Sequence, residues 1–114
     1  MIDRRIEDRL RLLGLNGCYQ GYECLIHAMH IMERDPAAAE LVTKCIYPEV
    51  ARRSNLSIAS VDSAIRTAIR VCRRRNPSEL ARLCGTQREP TVAQFLTGLF
   101  SFLDEPLDQG GRQR

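Results

Sequence analysis

The side chains with metal or nucleophile chemistry are few in this 114-residue chain. Cys18, Cys24, His27 and His30 cluster in sequence. Cys24 and His27 are three apart, so on a helix they share a face and could both ligate zinc. A closed zinc site needs four ligands, and no Cys-x-x-Cys pair supplies the others. Five cysteines is an odd count without paired spacing, which fits reduced thiols rather than a disulfide framework. Cys45, Cys72 and Cys84 read as small core hydrophobes. His27 and His30 are the only histidines, neither beside a nucleophile motif, and no phosphate-binding glycine loop occurs. The expectation is therefore no metal, no cofactor, no small-molecule substrate and no enzymatic activity.

The remaining chemistry is cationic. Net charge is +3, but the distribution is uneven. Residues 51–75 hold Arg52, Arg53, Arg66, Arg70, Arg73, Arg74 and Arg75 against Asp62 alone, whereas the rest holds ten basic and thirteen acidic side chains. Lys44 is the one lysine. A guanidinium forks onto phosphates and guanine edges where an ammonium is a point charge. A basic block on a near-neutral body is the footprint of a polyanion binder.

Such a block needs a scaffold. The chain is 44% hydrophobic and 27% charged, with five prolines and seven glycines, too few for a turn-dense β fold. The length suits one all-α domain, residues 1–105, followed by a flexible tail, 106–114. The longest uncharged stretch, Pro90 to Leu103, falls short of the roughly 20 apolar residues a membrane span needs. Asp3, Arg4, Arg5, Glu7 and Asp8 leave no apolar signal segment at the start. A cytoplasmic, nucleoid-associated protein with no membrane partner is expected.

Periodicity predicts six helices. Ile2, Ile6, Leu10 and Leu13 mark the first, ending at Gly14, and Leu15 to Gly21 reads as a loop. Tyr22, Leu25, Ile26, Met29 and Met32 mark the second, ending near Asp35. Asp35-Pro36 caps a third helix through Leu41, Val42, Cys45 and Ile46 that Pro48 kinks or restarts. Ser57 caps a fourth running to about Arg75. Asn76-Pro77-Ser78-Glu79 opens a fifth ending at Gly85, and the Thr91–Gln94 pair opens a sixth ending near Glu105.

The fourth helix carries the functional signal. With Val61 at zero on a wheel, Ile58, Ala64, Ile65, Ala68, Ile69, Val71 and Cys72 fall within about ±80°. The opposite half is short and polar at the N-terminal end and arginine-rich toward the C-terminal end. A DNA recognition helix needs that layout: small polar groups near base edges, then cations for flanking phosphates. Val50-Ala51, the link Asn55-Leu56-Ser57, and Val61 ten residues after Ala51 complete a helix-turn-helix pattern. Asn55 can take the left-handed conformation the turn demands.

Three segments then resemble a known family, the DNA-binding effector domain of stage 0 sporulation protein A. The first is Gly14-Leu15-Asn16 through Gly21-Tyr22-Glu23-Cys24-Leu25, with Gln20 in place of the family's lysine. The second is Thr43-Lys44-Cys45-Ile46-Tyr47-Pro48-Glu49-Val50-Ala51-Arg52-Arg53-Ser54-Asn55. The third is Val61-Asp62-Ser63-Ala64-Ile65-Arg66-Thr67-Ala68-Ile69. The similarity covers roughly residues 10–104. It implies a six-helix domain, a transcription factor reading a short box upstream of sporulation genes, and tandem binding as a dimer. Members carry the domain behind a phosphorylatable receiver, for which this chain has no room.

Where family members have arginine, this chain has Ser60 and Ser63; Thr67 replaces histidine, Asp62 replaces glutamate, and Arg70 replaces an acidic residue. Base reading is expected from Ser60, Asp62, Ser63, Arg66 and Thr67, and phosphate contact from Lys44, Arg52, Arg53, Arg70, Arg73 and Arg74. Val92, Phe95, Leu96, Leu99, Phe100, Phe102 and Leu103 spread over an arc of about 160° on the sixth helix, wider than a core stripe requires. Phe100 and Phe102 are thus candidate contacts of a weak homodimer on tandem sites. The alternative is an interaction module that heterodimerises with a full-length relative without reading DNA.

Overall fold

Apolar side chains recurring every three to four residues dictate helices that must bury one face. The computed structural model describes residues 2–105, with side chains from Arg4 onward. Six α-helices surround one core, with no strand among the described residues. The expected tail at 106–114 lies outside them.

Helix α1 (Ile2–Leu12) buries Ile6 and Leu10, and Leu13 follows them into the core. The chain turns at Gly14 with φ +102°, where an added Cβ would lie 2.7 Å from Arg75 Cβ. Helix α2 (Gln20–Arg34) starts earlier than Tyr22, so Gly21 is not a loop residue. A Cβ there would meet the Ala64 carbonyl oxygen at 2.5 Å and Ala68 Cβ at 2.9 Å. Gly21 is the point where α2 lies against α4, and that packing overrides glycine's low helix propensity of about 1 kcal/mol.

The expected third helix is three pieces. A 3₁₀ helix spans Pro36–Leu41, a π-helical turn spans Val42–Ile46, and α3 spans Tyr47–Ser54. Asp35 precedes Pro36 as expected, but its side chain makes no capping hydrogen bond. Pro48 has no N–H, and its ring crowds the carbonyl four residues back in a regular helix. The turn ahead of it is wider: the Tyr47 N–H reaches the Val42 carbonyl, five residues back.

Helix α4 (Ile58–Arg75) begins and ends where expected, and Ser57 Oγ accepts the Ser60 N–H at 3.0 Å. Val61, Ile65, Ala68, Ile69, Val71 and Cys72 are buried. α4 packs against α2, α3, α5 and α6. Ile58, placed in the inward half by the wheel, is 44% exposed. It opens the helix, a turn before the first buried residue, Val61.

Helix α5 (Pro77–Cys84) is capped by Asn76, which accepts the Glu79 N–H, and stops at left-handed Gly85. Helix α6 (Val92–Ser101) opens with a reciprocal Thr91–Gln94 box at 3.1 and 2.9 Å. It ends before Glu105; Phe102 to Glu105 continue as turns.

Arg9 is 2% exposed, in the middle of the apolar face of α1. Its Nη2 donates to the carbonyls of Phe102 at 2.6 Å and Glu105 at 2.7 Å. Its Nη1 lies 3.4 Å from Glu79 Oε2. This guanidinium ties α1 to α5 and to the turns after α6. Cys24 and Cys72 are buried, Cys45 and Cys84 half-buried, Cys18 exposed, and all five are free thiols. Burial pushes the Cys72 thiol up to about 12 and Cys84 to about 11.

Candidate nucleic-acid interface

The helix-turn-helix is formed by α3, α4 and the turn between them. Asn55 has φ 57° and ψ 47°, the one non-glycine among the described residues with positive φ. Its short polar side chain tolerates that region. The Leu56 N–H then bonds the Ala51 carbonyl at 2.9 Å, closing α3. Val50, Ala51 and Val61 are buried, so the three residues of the pattern belong to the core beneath the two helices.

On the outer side of α4, Ser63, Arg66, Thr67, Arg70, Arg73 and Arg74 are exposed and Ser60 and Asp62 half-buried. Ser63 and Thr67 carry no side-chain hydrogen bond among the described residues. Ser60 Oγ accepts from Ser57 Oγ at 2.9 Å, which leaves its proton free to donate outward. Asp62 is engaged twice. The Tyr47 hydroxyl donates to it, and Arg66 Nε lies 3.0 Å from both carboxylate oxygens. Tyr47 holds the Asp62 carboxyl below the usual range, with Arg66 helping. Burial, and the Asp62 carboxylate it donates to, push the Tyr47 hydroxyl well up.

The expected phosphate contacts divide by partner. Lys44, Arg70 and Arg74 are exposed and carry no partner among the described residues. Arg52 Nε reaches Glu49 Oε1 at 3.2 Å, and Arg53 Nε reaches Glu49 Oε2 at 2.9 Å. The two guanidiniums hold the Glu49 carboxyl down to about 2. Arg73 stands 3.8 Å from Glu89 in a loose, exposed pair. Arg75 folds back, donating to the Gly14 carbonyl at 3.0 Å with its guanidinium 5.7 Å from the Tyr19 ring centre.

The basic block is therefore less uniform than its count. Glu49 lies two positions outside the 51–75 window and pairs with two of its members, offsetting one of their two charges. The i,i+4 spacings Glu49–Arg53 and Asp62–Arg66 were visible signals of this pairing. The Tyr47–Asp62 contact spans fifteen residues and left no periodic trace. Sequence reasoning missed Tyr47 for that reason.

Phe100 and Phe102 are half-buried, packed on the core without being enclosed. The Arg82 guanidinium lies 4.9 Å from the Phe102 ring centre. Phe102 also borders an open groove of about 420 Å³ with Ala39, Leu83, Cys84 and Gly98. Cys24 is enclosed in the core, where burial raises its thiol, and His27 is 3.8 Å from Glu23. Among the described residues no three His, Cys, Asp or Glu side chains converge on a point that could hold a metal. No helix among them is long and apolar enough to cross a membrane.

The protein-family model described as sporulation initiation factor Spo0A C terminal matches residues 6–102.

Proposed function

The chain belongs to this Spo0A C-terminal family of DNA-binding effector domains, and we propose that it is a sequence-selective transcriptional regulator with α4 in the major groove. The observation that carries the reading is the split of α4. One half is buried in the core, while the other presents Ser63, Arg66, Thr67, Arg70 and Arg74. The recognition helix of such a unit places its N-terminal residues on base edges and leaves phosphates to flanking cations.

Arg66, Ser60, Ser63 and Thr67 face the bases in this reading. Lys44, Arg70 and Arg74 contact phosphates directly. Arg52, Arg53 and Arg73 join them by exchanging a carboxylate for a phosphate. Serine discriminates less than an arginine fork, so the preference is weaker than that of members with arginines at 60 and 63. One small module buries about 600–1,000 Å², which favours paired occupancy of tandem sites. Phe100 and Phe102 are the proposed contact between copies. The nucleoid is the corresponding location.

Selection from a random duplex pool, followed by titration over a salt series, tests this. Arg70→Ala and Arg74→Ala weaken binding to all duplexes and each lower the salt slope by about one. Absence of duplex binding at low salt overturns the reading. Co-sedimentation with a full-length relative would then favour an interaction module instead.

A further inference from the structure

We propose that Tyr47 sets base preference without touching DNA, by fixing Asp62 and, through it, the guanidinium of Arg66. The proposal rests on the DNA-binding reading above and adds a positioning residue to it. It also gives Asp62 a different task from the base reading its place on α4 first suggests.

The geometry is a chain of three side chains across two helices. Tyr47 opens α3 and is 5% exposed, so its ring is held by the core. Its hydroxyl donates to Asp62 on α4. Asp62 accepts Arg66 Nε, one helical turn further on, at 3.0 Å to each oxygen. An exposed i,i+4 ion pair by itself is weak and adopts many rotamers. Anchored on a buried phenol, the same pair has one preferred direction. Both Asp62 oxygens then already hold a donor, so a cytosine amino group would have to share an occupied acceptor.

The consequence lies at the far end of Arg66. Nε is occupied, while Nη1 and Nη2 have no partner among the described residues, and the side chain is 51% exposed. Those two terminal nitrogens are a fork that matches O6 and N7 of a guanine. A fork already held in place loses less rotamer freedom on binding than a free one. Preference for guanine at one position thus depends on a hydroxyl buried on the neighbouring helix.

The test uses the full chain with Tyr47→Phe, which keeps the ring and removes only the hydroxyl. Base preference is read by selection from a random duplex pool. Order at Arg66 is read from ¹⁵N relaxation of its Nε–H without DNA. The expected result is a loss of guanine preference at the Arg66-dependent position on the order of tenfold. Affinity for random duplex and the salt slope stay unchanged, which a merely structural role for Tyr47 would not produce. The Arg66 Nε–H becomes mobile. Asp62→Ala, on the outer face, gives the same loss of preference and higher affinity for random duplex, and it serves if Tyr47→Phe fails to fold.

Unchanged guanine preference, or an Arg66 Nε–H as ordered in the variants as in the wild type, overturns the proposal. So does loss of a cytosine preference in Asp62→Ala with the guanine preference intact. Duplex binding by the wild type with no guanine preference removes the proposal and leaves the DNA-binding reading standing. No duplex binding at all removes both, even with the Arg66 Nε–H ordered.

Discussion

Arg9 and Arg66 are the same side chain in two regions with opposite uses. Arg9 is enclosed where α1, α5 and the turns after α6 meet; two backbone carbonyls and Glu79 take donors from its two terminal nitrogens, while Nε has no partner among the described residues. Arg66 lies on the outer face of α4, held at Nε and open at its tip. A buried charge must be partnered or it destabilises the fold. A half-exposed charge can be oriented by one partner and still offer donors to another molecule. The contrast shows that the partners a guanidinium keeps, not residue type, separate the arginines that build this domain from those that can serve it.

The largest expected effect comes from breaking the buried side of this contrast. Arg9→Ala leaves the Phe102 and Glu105 carbonyls without their donor, while Arg82 still holds Glu79, and should cost about 2–5 kcal/mol in urea unfolding. Arg66→Ala should change stability by no more than about 0.5 kcal/mol. It should also lose about 1–3 kcal/mol of discrimination at one base position, measured with single-base variants of a selected duplex. Equal destabilisation by the two substitutions would erase the distinction.

Gly21→Ala lies between the two regions. Its methyl group would meet the Ala64 carbonyl at 2.5 Å. We expect about 1–3 kcal/mol of destabilisation from overpacking, with weaker duplex binding in the folded fraction because α4 is displaced. The two losses appearing together would show that the core side positions the reading side.

The smallest effect is a titration. Arg52 and Arg53 hold the Glu49 carboxyl down to about 2. Its folded value lies below its unfolded one. The stability it contributes is therefore present above pH about 4.3 and lost as pH falls toward 2. NMR of the Glu49 carboxyl should show that low midpoint, and Arg52→Ala or Arg53→Ala should raise it. A midpoint near 4 in the wild type would mean that the two guanidiniums are free for phosphate from the outset.

Local chemistry was the legible part of the fold. Ser57 and Asn76-Pro77-Ser78-Glu79 give α4 and α5 their starts, because a cap is a contact between near neighbours. The stretch from Pro36 to Ile46 was not legible as 3₁₀ and π turns. Apolar spacing cannot separate bonds to the third, fourth or fifth residue back. Arg9 could have been found, since it sits among Ile6, Leu10 and Leu13 on one face of α1. Gly21 could not, because its role depends on Ala64 across the core. The exposed face of α4 followed from periodicity, but the pairing of its charges depended on Tyr47 and Glu49, which lie outside that helix.

The Arg9 junction also sets a timetable for synthesis. The ties between α1 and the end of α4, Arg75 to the Gly14 carbonyl and Asn76 to the Leu12 carbonyl, need only residues already made by position 76. The acceptors of Arg9 at Phe102 and Glu105 emerge about 25–30 residues later, roughly one to six seconds at ordinary translation rates. Until then the growing chain can offer that guanidinium Glu79 but not the two carbonyls. A nascent domain can thus gather α1 to α4 early, while the segment 102–105 decides when the Arg9 junction closes.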